Sequence, residues 1–327
     1  MTRTANATPA RGGDRRAVGK GVAFRPARAD DLHGCWEVWR ESLNDYMVPI
    51  NQPPIPIEAD SITRLHEHMR STDPERFVVA TRQTEDGSER IVGFVSAVRR
   101  DDLWFLSMLF VRPEEQGVGL GRELLAHVLP QDDAILATAT DTAQPISNAL
   151  YASLGIVPRL PLLSLIGRPI RDGGFDPLPR GVVADPISAG AYDRDAGVAG
   201  IVDAIDREIL GFVRPRDHGF LGLEGRRGFL YRGPDNTVVG YGFASEVGRV
   251  GPVAARDEAL LAPILGHLLT AIEPRGASAV WVPGAAGGAL VHLLRAGFRL
   301  EGFPVLLGWT RPFADFSRYL PISPGLL

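Results

Sequence analysis

A glycine-rich turn between an apolar strand and a helix is the segment of this sequence best suited to chemistry. Gly117, Gly119 and Gly121 follow the apolar run 109–111 and lead into leucines at helical spacing. Glycine allows a positive φ and leaves space where a ligand approaches the backbone. Because the free N–H groups at the start of a helix attract anions, the turn predicts a pocket for phosphate.

The residues around these glycines agree with that interpretation. Gln116 and Arg122 flank the turn as side-chain donors. Leu120, Leu124 and Leu125 lie at helical spacing and predict a helix face that is buried against a sheet. A packed helix would therefore hold the turn in place.

Two familiar phosphate loops do not match the turn. The dinucleotide fingerprint requires G-x-G-x-x-G, and the glycine spacing here is one residue too short, although Asp141 lies twenty residues after Gly121. The P-loop requires Gly-Lys-Ser/Thr, where this chain has Arg122 and Glu123. The remaining alternative is a glycine-rich turn that binds nothing.

The pattern that does match is a Leu-x-Val strand end followed by Gln/Arg-x-x-Gly-x-Gly/Ala. It spans residues 109–121 and resembles the acetyl-CoA signature of the GNAT superfamily of N-acetyltransferases. A second block, residues 144–156, resembles the GNAT segment Asn-x-x-Ser/Ala-x-x-x-Tyr-x-x-x-Gly-Phe, with Gln144 in place of Asn and Ile156 in place of Phe. The order of predicted elements before and after the turn is also that of a GNAT domain.

The second block has the pattern of a short helix. Ile146, Leu150 and Leu154 are spaced to form one apolar face, and Gly155 is placed to end the helix. The segment therefore predicts a short helix with one apolar face.

The resemblance implies that acetyl-CoA is the co-substrate and that its pantetheine arm lies along the strand end. It implies contacts with acetyl-CoA from residues of both blocks, namely Leu109, Phe110, Val111, Gln116, Gly117, Val118, Gly119, Leu120, Gly121, Arg122, Gln144 and Ser147.

The resemblance also points to Tyr151 as a catalytic residue, because the family places a tyrosine beside the CoA sulfur. A phenol can protonate the thiolate as it leaves. The alternative for a lone helix tyrosine is half-buried packing with its hydroxyl in water. No general base is predicted, since the strand at 106–108 has no carboxylate. Four acids are candidates by region only, each of which could equally be a solvent-facing charge: Glu41, Asp45, Asp101 and Asp102.

The acceptor pocket is expected in the segment from Glu41 to Ile57. This segment has aromatic and methionine side chains and a proline-rich run between two predicted helices. Trp39, Tyr46 and Met47 favour an acceptor with some apolar body, although the same side chains could close the edge of a core.

The remainder of the chain repeats the first half at an offset of 142 residues, so that Val111 and Gly155 correspond to Val253 and Gly297. The predicted fold class is therefore α/β (α+β mixed sheet), with two tandem GNAT-like domains, each a mixed, mostly antiparallel sheet flanked by helices. We expect a disordered N-terminal tail (1–20), a catalytic domain (21–175), a degenerate GNAT-like domain (176–312) and a C-terminal tail (313–327). The C-terminal tail would fold over one copy or form a dimer contact.

The second copy has lost the chemical groups of the first. At the same offset the glutamine and glycines of the turn become Glu258, Ala259, Leu261 and Pro263, and Tyr151 becomes Leu293. A turn without glycine and with extra negative charge does not favour phosphate. We therefore expect one active site per chain.

Composition excludes several classes of protein. A length of 327 residues with 45% hydrophobic and 23% charged residues is that of a globular two-domain protein. A net charge of −4 gives no general attraction to nucleic acid, and no apolar stretch reaches membrane length. We expect a cytoplasmic protein that is a monomer or a homodimer.

No metal site is predicted. His66 and His68 are two residues apart, so they point to different sides of a helix, and we interpret this segment as a solvated helix face. The lone cysteine, Cys35, is predicted to be a core residue.

The function expected from these features is direct transfer of an acetyl group from acetyl-CoA to an amine of a small molecule or peptide. Two other functions remain open. One is a non-catalytic regulatory module that binds acyl-CoA, and the other is a scaffold or interaction protein whose two sites have both decayed.

Overall fold

The computed structural model describes residues 21–55, 60–168, 174–188 and 190–327. The predicted N-terminal tail (1–20) lies outside the described residues, as do Pro56 and Ile57 of the predicted acceptor segment. No helix in the described part of the chain is long and apolar enough to cross a membrane.

The two halves of the chain share one order of elements, to which the second half adds α5, β12 and β14. Within the described residues, the first half contributes β1 (Val22–Pro26), α1 (Leu32–Met47), α2 (Asp60–Thr72), β2 (Phe77–Gln83), β3 (Glu89–Arg100), β4 (Leu103–Val111), α3 (Leu120–Ala126), β5 (Ile135–Asp141), α4 (Pro145–Ala152) and β6 (Val157–Gly167). The second half contributes β7 (Val183–Ile187), α5 (Ala191–Arg194), α6 (Ala196–Leu210), α7 (Pro215–Leu223), β8 (Arg227–Arg232), β9 (Val238–Ala244), β10 (Arg249–Ala255), α8 (Glu258–Ala271), β11 (Ser278–Pro283), α9 (Gly287–Arg295), β12 (Arg299–Leu300), β13 (Val305–Trp309) and β14 (Tyr319–Leu320).

These strands form one continuous mixed sheet in the order β1-β2-β3-β4-β5-β13-β6-β11-β10-β9-β8-β7, with β12 on β6 and β14 on β10. Most neighbours are antiparallel, whereas β4 with β5 and β10 with β11 are parallel. The predicted fold class, a mixed and mostly antiparallel sheet flanked by helices in two similar halves, is confirmed. Gly155 and Gly297 end equivalent helices with nearly the same left-handed backbone, φ +81° and +83°.

The closing strands of the two halves are exchanged. At the offset of 142, β13 corresponds to residues 163–167 of β6, yet β13 pairs with β5 in the first half. Residues 162–167 of β6 pair with β11 in the second half. β6 and β13 then pair with each other at the centre of the sheet. The predicted domain division at residue 175 stays a prediction, but the sheets of the two halves do not separate there.

Each face of the first half's sheet has its own apolar core. Cys35 and Val38 of α1 pack with Met69 of α2, Phe94 of β3 and other residues on one face. Leu120 and Leu124 of α3 pack on the opposite face, together with Tyr151 of α4. Because side chains alternate along a strand, successive residues of β4 and β5 point into different cores.

Buried ion pairs join the two halves. Arg100, at the end of β3, donates to both carboxylate oxygens of Asp217 in α7, at 2.8 and 2.6 Å, and to Asp73 at 2.9 Å. His68 lies 2.8 Å from the same Asp217 carboxylate. Burial alone would raise the pKa of Asp217, but the hydrogen bonds from Arg100 and His68 outweigh it and hold the pKa below its usual range.

One local expectation was wrong. The segment of His66 and His68 is not a solvated helix face, because both side chains are buried, His66 against Phe77 and Phe94 and His68 against the second half. Ile146, at the start of the apolar face of α4, is 76% exposed and lines a large cavity. Apolar residues at helical spacing predict a helix with an apolar face, but the spacing does not tell how much of that face is buried.

Candidate active site

A gap between β4 and β5 is the structural feature around which the site is built. The two strands pair in parallel from Leu103 with Ile135 to Leu106 with Thr138, where the Thr138 hydroxyl donates to the Leu106 carbonyl at 2.9 Å. Beyond that level the strands separate. Since β3 occupies the far edge of β4 as far as Val111, the edge of residues 107–111 that faces the gap has no partner strand among the described residues.

A β-bulge lies at the narrow end of this gap. Ser96 pairs with Met108 and Ala97 pairs with Leu106, so Ser107 is the extra residue of β4. A bulge re-aims neighbouring backbone groups and side chains. Here it turns the Ser107 hydroxyl toward residues 319–327, the C-terminal segment. The hydroxyl donates to the carbonyl of Gly325 in that segment at 2.5 Å.

The glycine turn lies at the wide end of the gap. Gly117 and Gly119 have left-handed backbones, φ +79° and +93°, and Gly119 immediately precedes α3. A Cβ atom added at either glycine would have no heavy atom within 4 Å. The turn therefore borders open space with its backbone N–H groups and the start of a helix, which fits the pyrophosphate of a nucleotide.

Two side chains brace the turn against the strand. The amide nitrogen of Gln116 donates to the Val111 carbonyl at 3.0 Å, and the buried Ser42 hydroxyl of α1 donates to the same oxygen at 2.6 Å. The Val111 carbonyl is therefore already paired. Of the predicted strand-edge residues, Leu109 and Phe110 remain the better placed to pair with an extended ligand.

Tyr151 lies in the core on the α3–α4 face, only 6% exposed, and it lines the same cavity as the glycine turn. Burial raises the pKa of its hydroxyl above the ordinary value, although a hydrogen bond with Ser147 acts in the opposite direction. The phenol is thus protonated at neutral pH and can donate a proton to a thiolate.

One cavity of about 1540 Å³ brings the predicted site residues together. Its lining includes all of them except Val118, which lies in the turn with its side chain 40% exposed, namely Leu109, Phe110, Val111, Gln116, Gly117, Gly119, Leu120, Gly121, Arg122, Gln144, Ser147 and Tyr151. The cavity passes from the glycine turn through the gap in the sheet to the α1–α2 side. A molecule in the gap would have Tyr151 on one side and the α1–α2 pocket on the other.

Both halves of the chain line the α1–α2 side of the cavity. The first half contributes the segment that was expected to form the acceptor pocket, including Trp39, Tyr46 and Met47. The second half contributes residues of and just after α7, the start of β10, β11, the turn before β13, the start of β13 and the C-terminal segment, namely Phe220, Glu224, Arg226, Arg249, Trp281, Glu301, Gly302, Phe303, Val305, Ile322, Ser323, Pro324, Gly325 and Leu326. This wall is mainly apolar and aromatic.

The four acids named by region do not all lie here. Glu41 forms an ion pair with the buried Arg112, and Asp101 and Asp102 lie in the turn at the opposite end of β4. Asp45 lines the cavity. A fifth acid, Asp141 at the end of β5, also lines it and accepts a hydrogen bond of 3.1 Å from the Tyr46 hydroxyl.

The equivalent gap in the second half is filled by the chain itself. β10 and β11 pair in parallel only at Arg249 and Val250, and beyond that level β14 pairs with β10, with Leu320 opposite Val253 and Tyr319 opposite Ala254. β9 already occupies the other edge of β10 at those residues, so β14 lies in the gap.

The second half also has no glycine turn. Only two residues separate β10 from α8, and the carboxylate of Asp257 accepts a hydrogen bond from the Ala259 N–H at 2.9 Å. The helix start that would face a phosphate is thus capped by a negative charge from the chain.

Within the described residues, no group of three or more His, Cys, Asp or Glu side chains could hold a metal ion. Cys35 is buried, and burial raises its pKa, so the thiol is a core group on the α1 side of the sheet.

Comparison with known proteins agrees with this site. Residues 36–156 match the model of the acetyltransferase (GNAT) family, a span that contains the glycine turn, the gap and Tyr151. A search of curated proteins found no match.

Three solved structures are similar to almost the whole chain. A protein of Pyrococcus horikoshii assigned as an acetyltransferase has a TM-score of 0.71 at 16% identity, covering 94% of this chain and 97% of its own. A GCN5-related N-acetyltransferase of Sphaerobacter thermophilus has a TM-score of 0.57 at 16% identity, covering 94% and 99%. A tandem GNAT protein from the clavulanic acid biosynthesis pathway has a TM-score of 0.54 at 15% identity, covering 89% and 99%.

At these identities the solved structures show the fold, and the family model identifies the domain that carries the site. Residues 36–156 are therefore similar to a GNAT acetyltransferase domain, and nearly the whole chain has the fold of these three solved structures.

Proposed function

We propose that this protein transfers the acetyl group of acetyl-CoA to a primary amine of a small molecule or peptide. The observation that carries the proposal is the gap between β4 and β5, with the glycine turn at its wide end, Tyr151 on one side and an apolar pocket on the other. The pyrophosphate of CoA would lie on the N–H groups of Gly117 to Gly121. Its pantetheine arm would extend along Leu109 and Phe110.

In the proposed reaction the amine nitrogen attacks the thioester carbonyl from the α1–α2 side. The new C–N bond forms and the thioester carbonyl becomes a tetrahedral oxyanion. The C–S bond then breaks, and the thiolate takes the proton of the Tyr151 hydroxyl. Holding the two reactants in one cavity makes the step effectively unimolecular. Backbone N–H groups at the strand edge are suitable donors to the oxyanion.

We assign the removal of the amine proton to Asp141. Asp141 lies on the same face of β5 as Ala137 and Ala139, because the three residues are two positions apart along the strand. These two alanines pack in the core on the α1–α2 side, so the Asp141 carboxylate would face the acceptor pocket. The Ala143 N–H and the Tyr46 hydroxyl donate to its two oxygens, at 2.8 and 3.1 Å. These donors orient the carboxylate and leave acceptor capacity on each oxygen for an amine or a bridging water.

Only the first half would bind acetyl-CoA. In the second half β14 fills the gap, and the Asp257 carboxylate caps the helix start. The expected stoichiometry is therefore one acetyl-CoA per chain.

Calorimetric titration of the purified protein with acetyl-CoA tests the proposal first. We expect micromolar binding at one site per chain, followed by release of free CoA when a panel of primary amines is added. Two sites per chain would overturn the account of the second half. Binding without acetylation of any amine would instead favour a regulatory module that senses acyl-CoA, and no binding by folded protein would favour a scaffold.

A further inference from the structure

The C-terminal segment occupies two places that matter to the proposed reaction. Its first part, β14, fills the gap in the second half, where it pairs with β10. Its next residues, Ile322 to Leu326, leave that gap and line the cavity of the first half. One short stretch of chain thus links the closed gap to the open one.

Specific contacts hold the second part of this segment in place. Ile322 and Leu326 are buried in an apolar cluster with Phe220 and Leu221 of α7, and Leu65 of α2 packs against it. The Gly325 carbonyl accepts the hydrogen bond from Ser107 in the β4 bulge. Since this bulge marks the narrow end of the gap, Gly325 lies beside the place where an acceptor would reach the thioester.

The space next to Gly325 is small. A Cβ atom added there would lie 3.3 Å from the Ser107 hydroxyl and 3.6 Å from both Leu65 and Met108. These are ordinary or slightly tight contacts, so alanine fits, whereas a larger side chain must extend into the cavity or displace its wall.

We propose that residues Ile322–Leu326 form the wall of the acceptor site and set the size of the apolar body that an acceptor amine can carry. The inference rests on the proposed acetyltransferase function. The substrate class is a primary amine with a compact apolar or aromatic body, because the wall is made of Ile322, Leu326, Leu65 and Phe220. Four charged side chains of the second half also line the cavity, namely Glu224, Arg226, Arg249 and Glu301, and Glu224 is paired to Arg226.

The anchoring of this wall explains what the second half contributes to a reaction that it does not catalyse. β14 is fixed by its pairing with β10, and both Tyr319 and Leu320 are fully buried. The strand β14, which fills the gap in the second half, therefore positions the acceptor wall beside the gap in the first half. The second half would thus contribute to substrate selection by holding this wall in place.

The test compares three amines of increasing apolar size, ethylamine, benzylamine and naphthylmethylamine, with release of CoA as the readout. The variant is Gly325→Leu, and the matched control is Gly276→Leu, where an added Cβ meets no heavy atom within 4 Å and which lies outside the cavity lining. We expect Gly325→Leu to lower kcat/KM for benzylamine relative to ethylamine by about tenfold or more, the range for one misfitted group in an apolar pocket. The Kd of acetyl-CoA should be unchanged in both variants.

A second variant guards against misfolding. Gly325→Ala fits the space and should shift the preference in the same direction by a smaller factor, with circular dichroism and melting temperature as checks on the fold. If wild type and Gly325→Leu acetylate the three amines with the same relative kcat/KM, the segment is not the acceptor wall. If the protein binds acetyl-CoA but acetylates none of the three, the assigned acceptor class is wrong. If folded protein does not bind acetyl-CoA, it is the proposed function that fails.

Discussion

Gly119 and Gly87 share a left-handed φ in two different turns of the first half. Their φ values are +93° and +83°, and neither would have a heavy atom within 4 Å of an added Cβ. Gly119 precedes α3 and lines the cavity, whereas Gly87 lies in the exposed turn between β2 and β3 and does not line the cavity. Substitutions at these two glycines therefore distinguish the loss of stability caused by a left-handed backbone from the loss of binding caused by blocking the proposed anion site.

Gly119→Glu is expected to weaken acetyl-CoA binding by about 100-fold or more. The new carboxylate would enter the space proposed for the pyrophosphate, and the pyrophosphate would then lose charge-assisted hydrogen bonds worth about 3 kcal/mol. Gly87→Glu carries a similar left-handed strain of about 1–2 kcal/mol and should bind acetyl-CoA like wild type. Calorimetry and thermal melts of both variants measure the two effects. Equal loss of binding in both variants would refute the assignment of the turn.

A second comparison concerns the other half of the chain. Ala259 is exposed and is the counterpart of Gly117 at the offset of 142. Ala259→Glu should leave the stoichiometry and the Kd of acetyl-CoA unchanged, because Asp257 already caps that helix start. A measurable loss of binding would mean that the second half holds part of the ligand.

Tyr151→Phe should lower kcat by about 100-fold with little change in the Kd of acetyl-CoA, because the phenyl ring keeps the packing and loses the proton. Since burial raises the pKa of Tyr151, its phenol stays protonated through about pH 10, and no alkaline loss of activity below that pH should arise from it. Tyr192→Phe is the control, since the Tyr192 hydroxyl donates to Asp203 and the residue does not line the cavity. Steady-state rates over a range of pH provide the measurement, and an unaltered kcat in Tyr151→Phe would exclude the proton-donor role.

Asp141→Asn should lower kcat by about 100-fold, because the amide keeps the shape of the carboxylate and cannot accept the amine proton. Tyr46→Phe should lower kcat by a smaller factor, since it removes one donor that orients Asp141 but leaves the carboxylate in place. Asp45→Asn is the matched control on the same wall of the cavity. If Asp45→Asn reduced kcat as much as Asp141→Asn, the assignment of the base would be wrong.

His66 is expected to make the protein less stable in mild acid. Burial lowers the pKa of His66 to about 4, whereas the unfolded chain has a value near 6.5. Between these values the unfolded state binds the extra proton, so the free energy of unfolding falls as the pH falls from about 6.5 to 4, by up to about 3 kcal/mol. Above pH 6.5 this contribution is absent.

The variant for this prediction is His66→Phe, which places a ring between Phe77 and Phe94 and removes the titrating group. Urea unfolding of wild type and variant at pH 7 and pH 4.5 gives the difference due to His66 alone. The variant should lose less stability between the two pH values than wild type does. An identical loss in both proteins would show that other groups control the acid limb.

The sequence was sufficient for features that depend on neighbouring residues. The glycine turn, α3, α4 and the position of Tyr151 were predicted because their signals lie within a dozen residues of each other and have a direct backbone meaning. The repeat at an offset of 142 likewise predicted two similar halves. The order of helices and strands depends mainly on residues close together in the chain, so short sequence patterns can predict it.

Features that depend on distant partners were missed. The role proposed for Asp141 depends on its contact with Tyr46, which is 95 residues earlier in the chain, and no pattern within β5 signals that contact. His68 is buried because Asp217 and Phe220 of the second half cover α2, so a segment with a polar sequence became an interior surface. The C-terminal segment has few residues and no periodicity, yet its pairing with β10 and its contact with Ser107 place it beside the proposed chemistry.

The exchange of β6 and β13 limits which parts of the chain can be deleted during evolution. A deletion that removed the second half would take an interior strand out of the first half's sheet and leave the edge of β5 unpaired, and exposed edges invite aggregation. The second half therefore cannot be removed without exposing a strand edge in the first half's sheet, whether or not it binds a ligand of its own. Because each half supplies a strand to the sheet of the other, the ligand site of one half can change while that half itself must be kept.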